Sequence, residues 1–211
     1  MGCALSKIIE DMFKSWILSS LTTAQKIAIW TVVLVVADQI VKILVHTHLQ
    51  VGEKISVFPW FNLCYVENPG FAFGMQLGGD GANWGKIVLS LFRLVMIGAI
   101  IYGIRHILNK RNDIPKGVIV GAVLILAGAI GNMVDSMFYG LFIEGQDAGF
   151  LTGKVIDMIH LPLFKWESAP DFLSFLVGSD GYFFGAVFNV ADAYISCAVV
   201  YLLIFHYKFF K

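Results

Sequence analysis

Charge is what this chain has least of. Of its 211 residues 14% are charged and 58% are hydrophobic, and the mean hydropathy of +0.77 lies outside the range of soluble domains. Fifteen Lys and Arg balance fifteen Asp and Glu, so the excess of positive charge that a nucleic-acid partner requires is missing. Cys3, Cys64 and Cys197 are too few and too scattered for a disulfide framework or a zinc site. Cys197 lies in an apolar run and reads as a small core residue. His46, His48, His106, His160 and His206 show no metal-ligand spacing along one helix face, so none is read as a ligand. An internal repeat of the kind transporters carry is also missing. One integral-membrane domain over 24–208 remains.

The apolar runs are long. Stretches at about 24–46, 86–108, 117–139 and 182–205 each have roughly the 20 residues that cross ~30 Å of hydrocarbon. They predict an all-α bundle of four transmembrane helices. The loop 47–85 alternates apolar and polar residues as strands do, then breaks at Asn68-Pro69-Gly70 and at the G-G-D-G turn of 78–81. The second long loop covers 140–181. Ahead of the first span, Ile8, Ile9, Met12, Phe13 and Trp16 fall at helical spacing, which predicts an amphipathic surface helix within 1–23. No short apolar core there leads to a cleavage site, so a cleavable signal peptide is not expected. The opening M-G-C-A-L-S fits the myristoylation pattern at Gly2, a short and common one. Arg105, His106, Lys110, Arg111 and Lys116 make the middle loop basic, both ends of the chain are basic, and the two long loops are poor in Lys and Arg. The positive-inside rule then puts both termini in the cytoplasm and the long loops outside.

In that topology the ionisable residues inside the spans share a depth. Asp38, Arg93 and Asp135 fall in the outer part of their spans, and Asp192 lies ten residues from the start of the fourth, ~15 Å along a helix. An ion within hydrocarbon is costly and marks a functional site by default, and a common depth suggests one site. Asn189 and Asp192 share a helix face, as do Asn132 and Asp135, while Asp38 and Lys42 are most simply a structural i,i+4 pair. Asp157, in K-V-I-D-M-I-H, would by itself be a solvated loop residue. Beside Asp192 it would complete a carboxyl pair sharing one proton. One member could then act as base on a water while the other donates to a scissile carbonyl oxygen. Asn68 through Phe73 form either a turn between strands or the lining of a peptide groove. A proton-relay transporter or a scaffold whose acids only pair helices are the rival readings.

Five blocks stand in order along most of 25–205: Asp38-Gln39-x-x-Lys42, Asn68-x-Gly70-x-Ala72-Phe73, Gly128-x-x-Gly131-Asn132-x-x-Asp135, Val155-x-Asp157, and Phe188-Asn189-x-Ala191-Asp192. Through them the chain resembles bacterial lipoprotein signal peptidase, also called signal peptidase II. The resemblance implies an aspartyl endopeptidase with Asp157 and Asp192 as its dyad, supported by Asp38, Lys42, Asn68, Gly70, Asn132, Asp135 and Asn189. It implies cleavage of a prolipoprotein just before the diacylglyceryl-modified lipobox cysteine. It also implies a monomer in the lipid of the bacterial inner membrane, with no metal or cofactor, no nucleic-acid partner, and inhibition by globomycin. Its fold adds to four membrane helices an extracytoplasmic β-cradle from the first long loop and a small periplasmic helix from the second. Two departures stand out. The arginine that usually follows the aspartate of the third block is Ser136 here, and Arg93 is its candidate replacement by depth. Asp157 and Asp192 are 35 positions apart, longer than usual, and the insertion near 161–181 is expected to be a surface lid or a membrane-contacting loop.

Overall fold

The computed structural model describes residues 21–69, 83–146, 148–166, 170, 177, 181–183 and 185–211. The expected surface helix near the N-terminus, Gly70 to Phe73, the 78–81 turn and most of the insertion tip lie outside the described residues. Helix α1 (Thr23–His48) begins at a capping box. The Thr22 hydroxyl accepts from the Gln25 backbone N–H at 3.2 Å, and the Gln25 side chain accepts from the Thr22 N–H at 2.8 Å, satisfying donors that a helix start leaves open. Helix α2 spans Asn83–Lys110. Helix α3 (Lys116–Val134) follows Pro115 and runs on through a π-helical turn, Asp135–Tyr139, into a last turn, Gly140–Phe142.

Among the described residues three helices are long and apolar enough to cross a membrane: Thr23–His48, Trp84–Lys110 and Lys116–Phe142. Their outward residues, such as Val32, Val36 and Ile40 on α1 and Leu91, Phe92 and Val95 on α2, are large, apolar and exposed, as a lipid-facing surface requires.

The fourth apolar helix, α4, departs from expectation. It covers Val190–Phe205, 16 residues, about 24 Å against the ~30 Å of hydrocarbon. Residues 182, 183 and 185–189 are not helical. Val187–Phe188 form strand β4, and Asn189 is an extended N-cap whose side chain accepts from the Asp192 N–H while the Asp192 carboxylate accepts from the Asn189 N–H. A reciprocal cap of this kind starts a helix regardless of the apolar run preceding it. Asp192 therefore sits in the first turn of α4, not ten residues inside it. Cys197 is exposed on α4 rather than in the core, because the helix turns Ala191 and Ala198 toward α3.

The strands form one antiparallel sheet in the order β1 (Lys54–Phe58), β2 (Phe61–Asn68), β3 (Val155–His160), β4. The sheet thus draws on both long loops rather than on the first alone. Among the described residues the second loop holds β3 and, apart from the end of α3, no helix; the expected small helix falls partly outside the described residues. Register decides where the site residues land. Asn68 pairs with Val155 and Val66 with Asp157, while Ile159 pairs with Phe188 and His160 with Val187. The β3–β4 ladder closes the 35-position gap, so the chain leaves the sheet after Asp157 and returns just before Asn189. Beyond it the ribbon continues, with Phe183 N–H donating to the Phe164 carbonyl at 2.8 Å and the two rings stacked 4.9 Å apart. Tyr65, Ile156 and Met158 of the sheet pack with Val45 and Leu49 at the end of α1 and with Tyr139 and Ile143 beyond α3, which fixes the sheet over one end of the bundle.

Small residues let α3 and α4 approach closely, the usual route to helix association in lipid. A Cβ at Gly128 would lie 2.3 Å from the backbone oxygen of Ala191. Gly128→Ala is therefore expected to lower the denaturation midpoint in detergent by an overpacking cost of about 1–3 kcal/mol. Gly98→Ala, whose added carbon meets nothing within 4 Å, should not destabilise the protein.

Candidate active site

The site is built outward from one ammonium group. Lys42 Nζ lies 2.8 Å from Asp38 Oδ2 and 2.7 Å from Asp135 Oδ2, and all three side chains are fully buried. Its third partner is Asn132 Oδ1 at 3.2 Å. Asp38 and Lys42 are one turn apart on α1, while Asp135 and Asn132 share a face at the end of α3, so this cluster joins the two helices. The other oxygen of Asp38 accepts from the Ala191 N–H at 2.9 Å, in the first turn of α4, where an unpaired backbone donor and the positive end of the helix dipole favour a carboxylate. Gln39 reinforces the junction. Its amide donates to Asp38 at 3.1 Å and Asp135 at 2.8 Å, and its carbonyl accepts from the Tyr139 hydroxyl at 2.9 Å.

Two asparagines carry the network from this cluster to the remaining carboxylates. Asn132 donates through Nδ2 to Asp192 Oδ1 at 2.7 Å. Asn189, the cap of α4, accepts from the Asp192 N–H at 2.9 Å and donates to Asp157 Oδ1 at 2.7 Å and to Asn132 Oδ1 at 3.1 Å. Asn68, at the end of β2, donates to Asp157 Oδ2 at 2.9 Å. Asp157 is 2% exposed on β3, with Asp192 half-buried beside the same asparagine. From α2, Arg93 donates to the Ser136 hydroxyl, which itself donates to the Asn132 carbonyl at 3.0 Å.

Burial pushes the Asp157 carboxyl up to about 7; the Asp192 charge pushes the same way, while the amides of Asn68 and Asn189 and the charge of Lys42 oppose it. A carboxyl of that acidity holds a proton for a fraction of the time at neutral pH. With a second carboxylate tied to the same asparagine, the pair has what general acid–base chemistry on a bound water needs: one group able to take a proton and one able to give it. Among the described residues no three His, Cys, Asp or Glu side chains are grouped to hold a metal ion, and the carboxylates point at Lys and amide donors instead.

Asp38, Lys42, Asn68, Asn132, Asp135, Asp157, Asn189 and Asp192 thus fall in one continuous network. Gly70 lies outside the described residues. Asp38 and Lys42 do form their i,i+4 ion pair, but Lys42 also holds Asp135 and Asn132. Asp157 is not a solvated loop residue, because β3 is covered on both faces. Gln39 and Tyr139 were not anticipated as members. Gln39 stands inside the first block, and Tyr139 follows Asp135 by four residues, so both signals were present in the chain.

The chain is similar to known proteins over most of its length. The family described as signal peptidase (SPase) II matches residues 30–208. A lipoprotein signal peptidase of Porphyromonas gingivalis is 38% identical over 200 residues, covering 89% of this chain and 85% of the relative. One from Amoebophilus asiaticus is 34% identical over 179 residues, covering 81% and 72%. A solved bacterial membrane enzyme shares the fold, with a TM-score of 0.58 at 22% identity, over 87% of this chain and 94% of that one.

Two stability measurements test the network. Lys42→Met leaves Asp38 and Asp135 buried without their cation and should cost about 3–5 kcal/mol, seen as a fall in the denaturation midpoint. Asp157 titrates higher in the folded than in the unfolded chain, so the folded state holds the extra proton between about pH 4 and 7. Its contribution is neutral below that window and destabilising above it. The midpoint of Asp157→Asn relative to wild type should therefore rise as pH goes from 4 to 8; a flat difference would contradict the burial assigned to this carboxyl.

Proposed function

The chain belongs to the signal peptidase II family, and on that premise we propose that it removes signal peptides from prolipoproteins as an intramembrane aspartyl endopeptidase. Asp157 and Asp192 form the catalytic pair. The singly protonated pair binds a water; the ionised carboxylate draws a proton from it as it attacks the scissile carbonyl, and the protonated partner donates to the carbonyl oxygen. The roles then reverse to protonate the leaving amine. Asn68, Asn132 and Asn189 hold both carboxylates in place, and the Asp38–Lys42–Asp135 cluster fixes the helices carrying them. Gly70 is assigned to the substrate-side support by resemblance alone.

The observation that carries this reading is Asn189, whose one side chain caps the helix of Asp192 and touches Asp157. In the bilayer, α4 together with β4 completes a fourth pass, with both termini cytoplasmic and the pair toward the outer leaflet of the bacterial inner membrane. A diacylglyceryl group on the lipobox cysteine would hold the bond just before that cysteine at the membrane surface, within reach of the pair. The protein acts as a monomer without metal or cofactor, and globomycin should inhibit it.

The test is cleavage of a diacylglyceryl-modified lipobox peptide in detergent. Wild type should cut before the cysteine. Asp157→Asn and Asp192→Asn should stay folded and each lose at least about 10²–10⁴-fold in turnover, the range of acid–base catalysis. Near-normal turnover in either variant would overturn the pair, and a wild type that cuts nothing would overturn the peptidase reading.

A further inference from the structure

The buried charge of the site does not balance on Lys42. Asp38, Asp135, Asp157 and Asp192 bring four carboxyl groups into one network. Lys42 is committed to Asp38 and Asp135 at 2.8 and 2.7 Å and reaches Asp192 only through Asn132. The Asp157–Asp192 pair therefore has amide donors around it but no cation of its own on α1, α3 or α4. Charge held away from water is costly, so a second cation near the pair would favour its ionised state.

The geometry points to Arg93 as that cation: a positioning residue on α2 that favours the ionised state of the Asp157–Asp192 pair and so sets the pH range in which the pair carries one proton. This rests on the assignment of the pair made above. Arg93 lies in the middle of an apolar helix, where a charged side chain is placed only against a partner or a cavity. Its charge falls within electrostatic reach of Asp135, Asp192 and Asp157, contributed by α3, α4 and β3. Ser136 steers it: the hydroxyl accepts from the guanidinium and donates to the Asn132 carbonyl, so the cation is held by the backbone of the residue whose amide holds Asp192. Ser136 is 1% exposed, and a polar side chain buried there needs such a partner. The planar guanidinium has five donors in a fixed fork and can serve several carboxylates at once, which a lysine ammonium does less well.

Among the described residues the other charged and titratable groups near the pair do not supply this. Asp38 and Asp135 add negative charge. Lys42 is bonded to both of them and acts on Asp157 only as a charge without an ion pair. On the sheet, Glu67 and Lys154 pair with each other at 2.6 Å. The phenols of Tyr139 and Tyr194 are neutral over this range. A cation beside a carboxyl pair favours loss of its protons, against burial and mutual repulsion, which favour keeping them.

The experiment compares wild type, Arg93→Gln and Arg93→Lys by two readouts. The first is the pH profile of kcat/KM on the lipobox peptide. Arg93→Gln should move both limbs to higher pH by about one unit or more, whereas Arg93→Lys should keep the limbs close to wild type. The second needs no turnover: infrared titration of the carboxyl band that Asp157→Asn removes should show the same upward displacement in Arg93→Gln. Thermal midpoints are recorded in parallel. A loss of rate equal at all pH with an unmoved carboxyl titration would reduce Arg93 to helix packing and overturn the inference. If Arg93→Gln does not fold, Arg93→Met is compared with Arg93→Lys, and Ser136→Ala, which keeps the charge and removes one of its hydrogen bonds, should give a smaller shift in the same direction; limbs and titration unmoved in all three would overturn the inference equally. Failure of the peptidase reading shows separately, as a wild type without cleavage, and leaves the infrared titration to decide the role of Arg93.

Discussion

The structure depends on keeping carboxylates out of water without leaving them unanswered. Asp38, Asp135 and Asp157 are buried to 2% exposure or less. In an apolar surround a lone carboxylate would take a proton rather than remain charged. Each is instead met by donors from different elements: Lys42 and the Ala191 N–H for Asp38, Lys42 and Gln39 for Asp135, Asn68 and Asn189 for Asp157. Because the Ala191 N–H for Asp38, Lys42 and Gln39 for Asp135, and Asn68 and Asn189 for Asp157 come from a neighbouring helix or strand, satisfying the charges is the same event as docking α1, α3, α4 and the sheet.

Close approach is what permits this. Gly131 faces Asp38, and a Cβ there would lie 2.8 Å from its Oδ2, so the α1–α3 junction accepts only a bare backbone at that point. Next to it the α3 helix widens into the π-helical turn Asp135–Tyr139. Such turns are rare and recur at functional sites. Here Asp135, Ser136 and Tyr139 are all buried, so three polar side chains face inward within five residues.

Much of this was legible in the chain. The long apolar runs announce helices, and Asp38 with Lys42 reads as an i,i+4 pair because helical spacing alone puts them together. Counting depth along spans brings Asp38, Arg93 and Asp135 together, whereas the depth counted for Asp192 rested on a span starting at 182 and the helix starts at Val190. What was not legible has a common cause, which is tertiary pairing overriding a local pattern. The run 182–205 is apolar throughout, yet residues 187–188 find backbone partners in β3 and the helix waits for Asn189. The second loop carries no strong alternation, yet β3 is buried on both faces and so reads as a nearly continuous apolar segment. Tyr139 and Gln39 join the site through each other, a contact between helices 100 positions apart that no single stretch displays.

The long insertion between the two candidate catalytic aspartates looks at first like a threat to their geometry. It is not, because the ladder closes before the insertion begins. Ile159 and His160 pair with Phe188 and Val187, so the distance between Asp157 and the cap of α4 is set by four residues in register. The ribbon beyond adds Leu163 to Phe183 and Trp166 to Gly181 backbone bonds and a stack of Phe164 on Phe183, which stiffens its base. Lengthening a loop whose ends are already fixed adds closure entropy only slowly, about 0.6 kcal/mol per doubling. A chain built this way can vary the far end of the hairpin without altering the hydrogen bonds of Asn189, on which the pair depends.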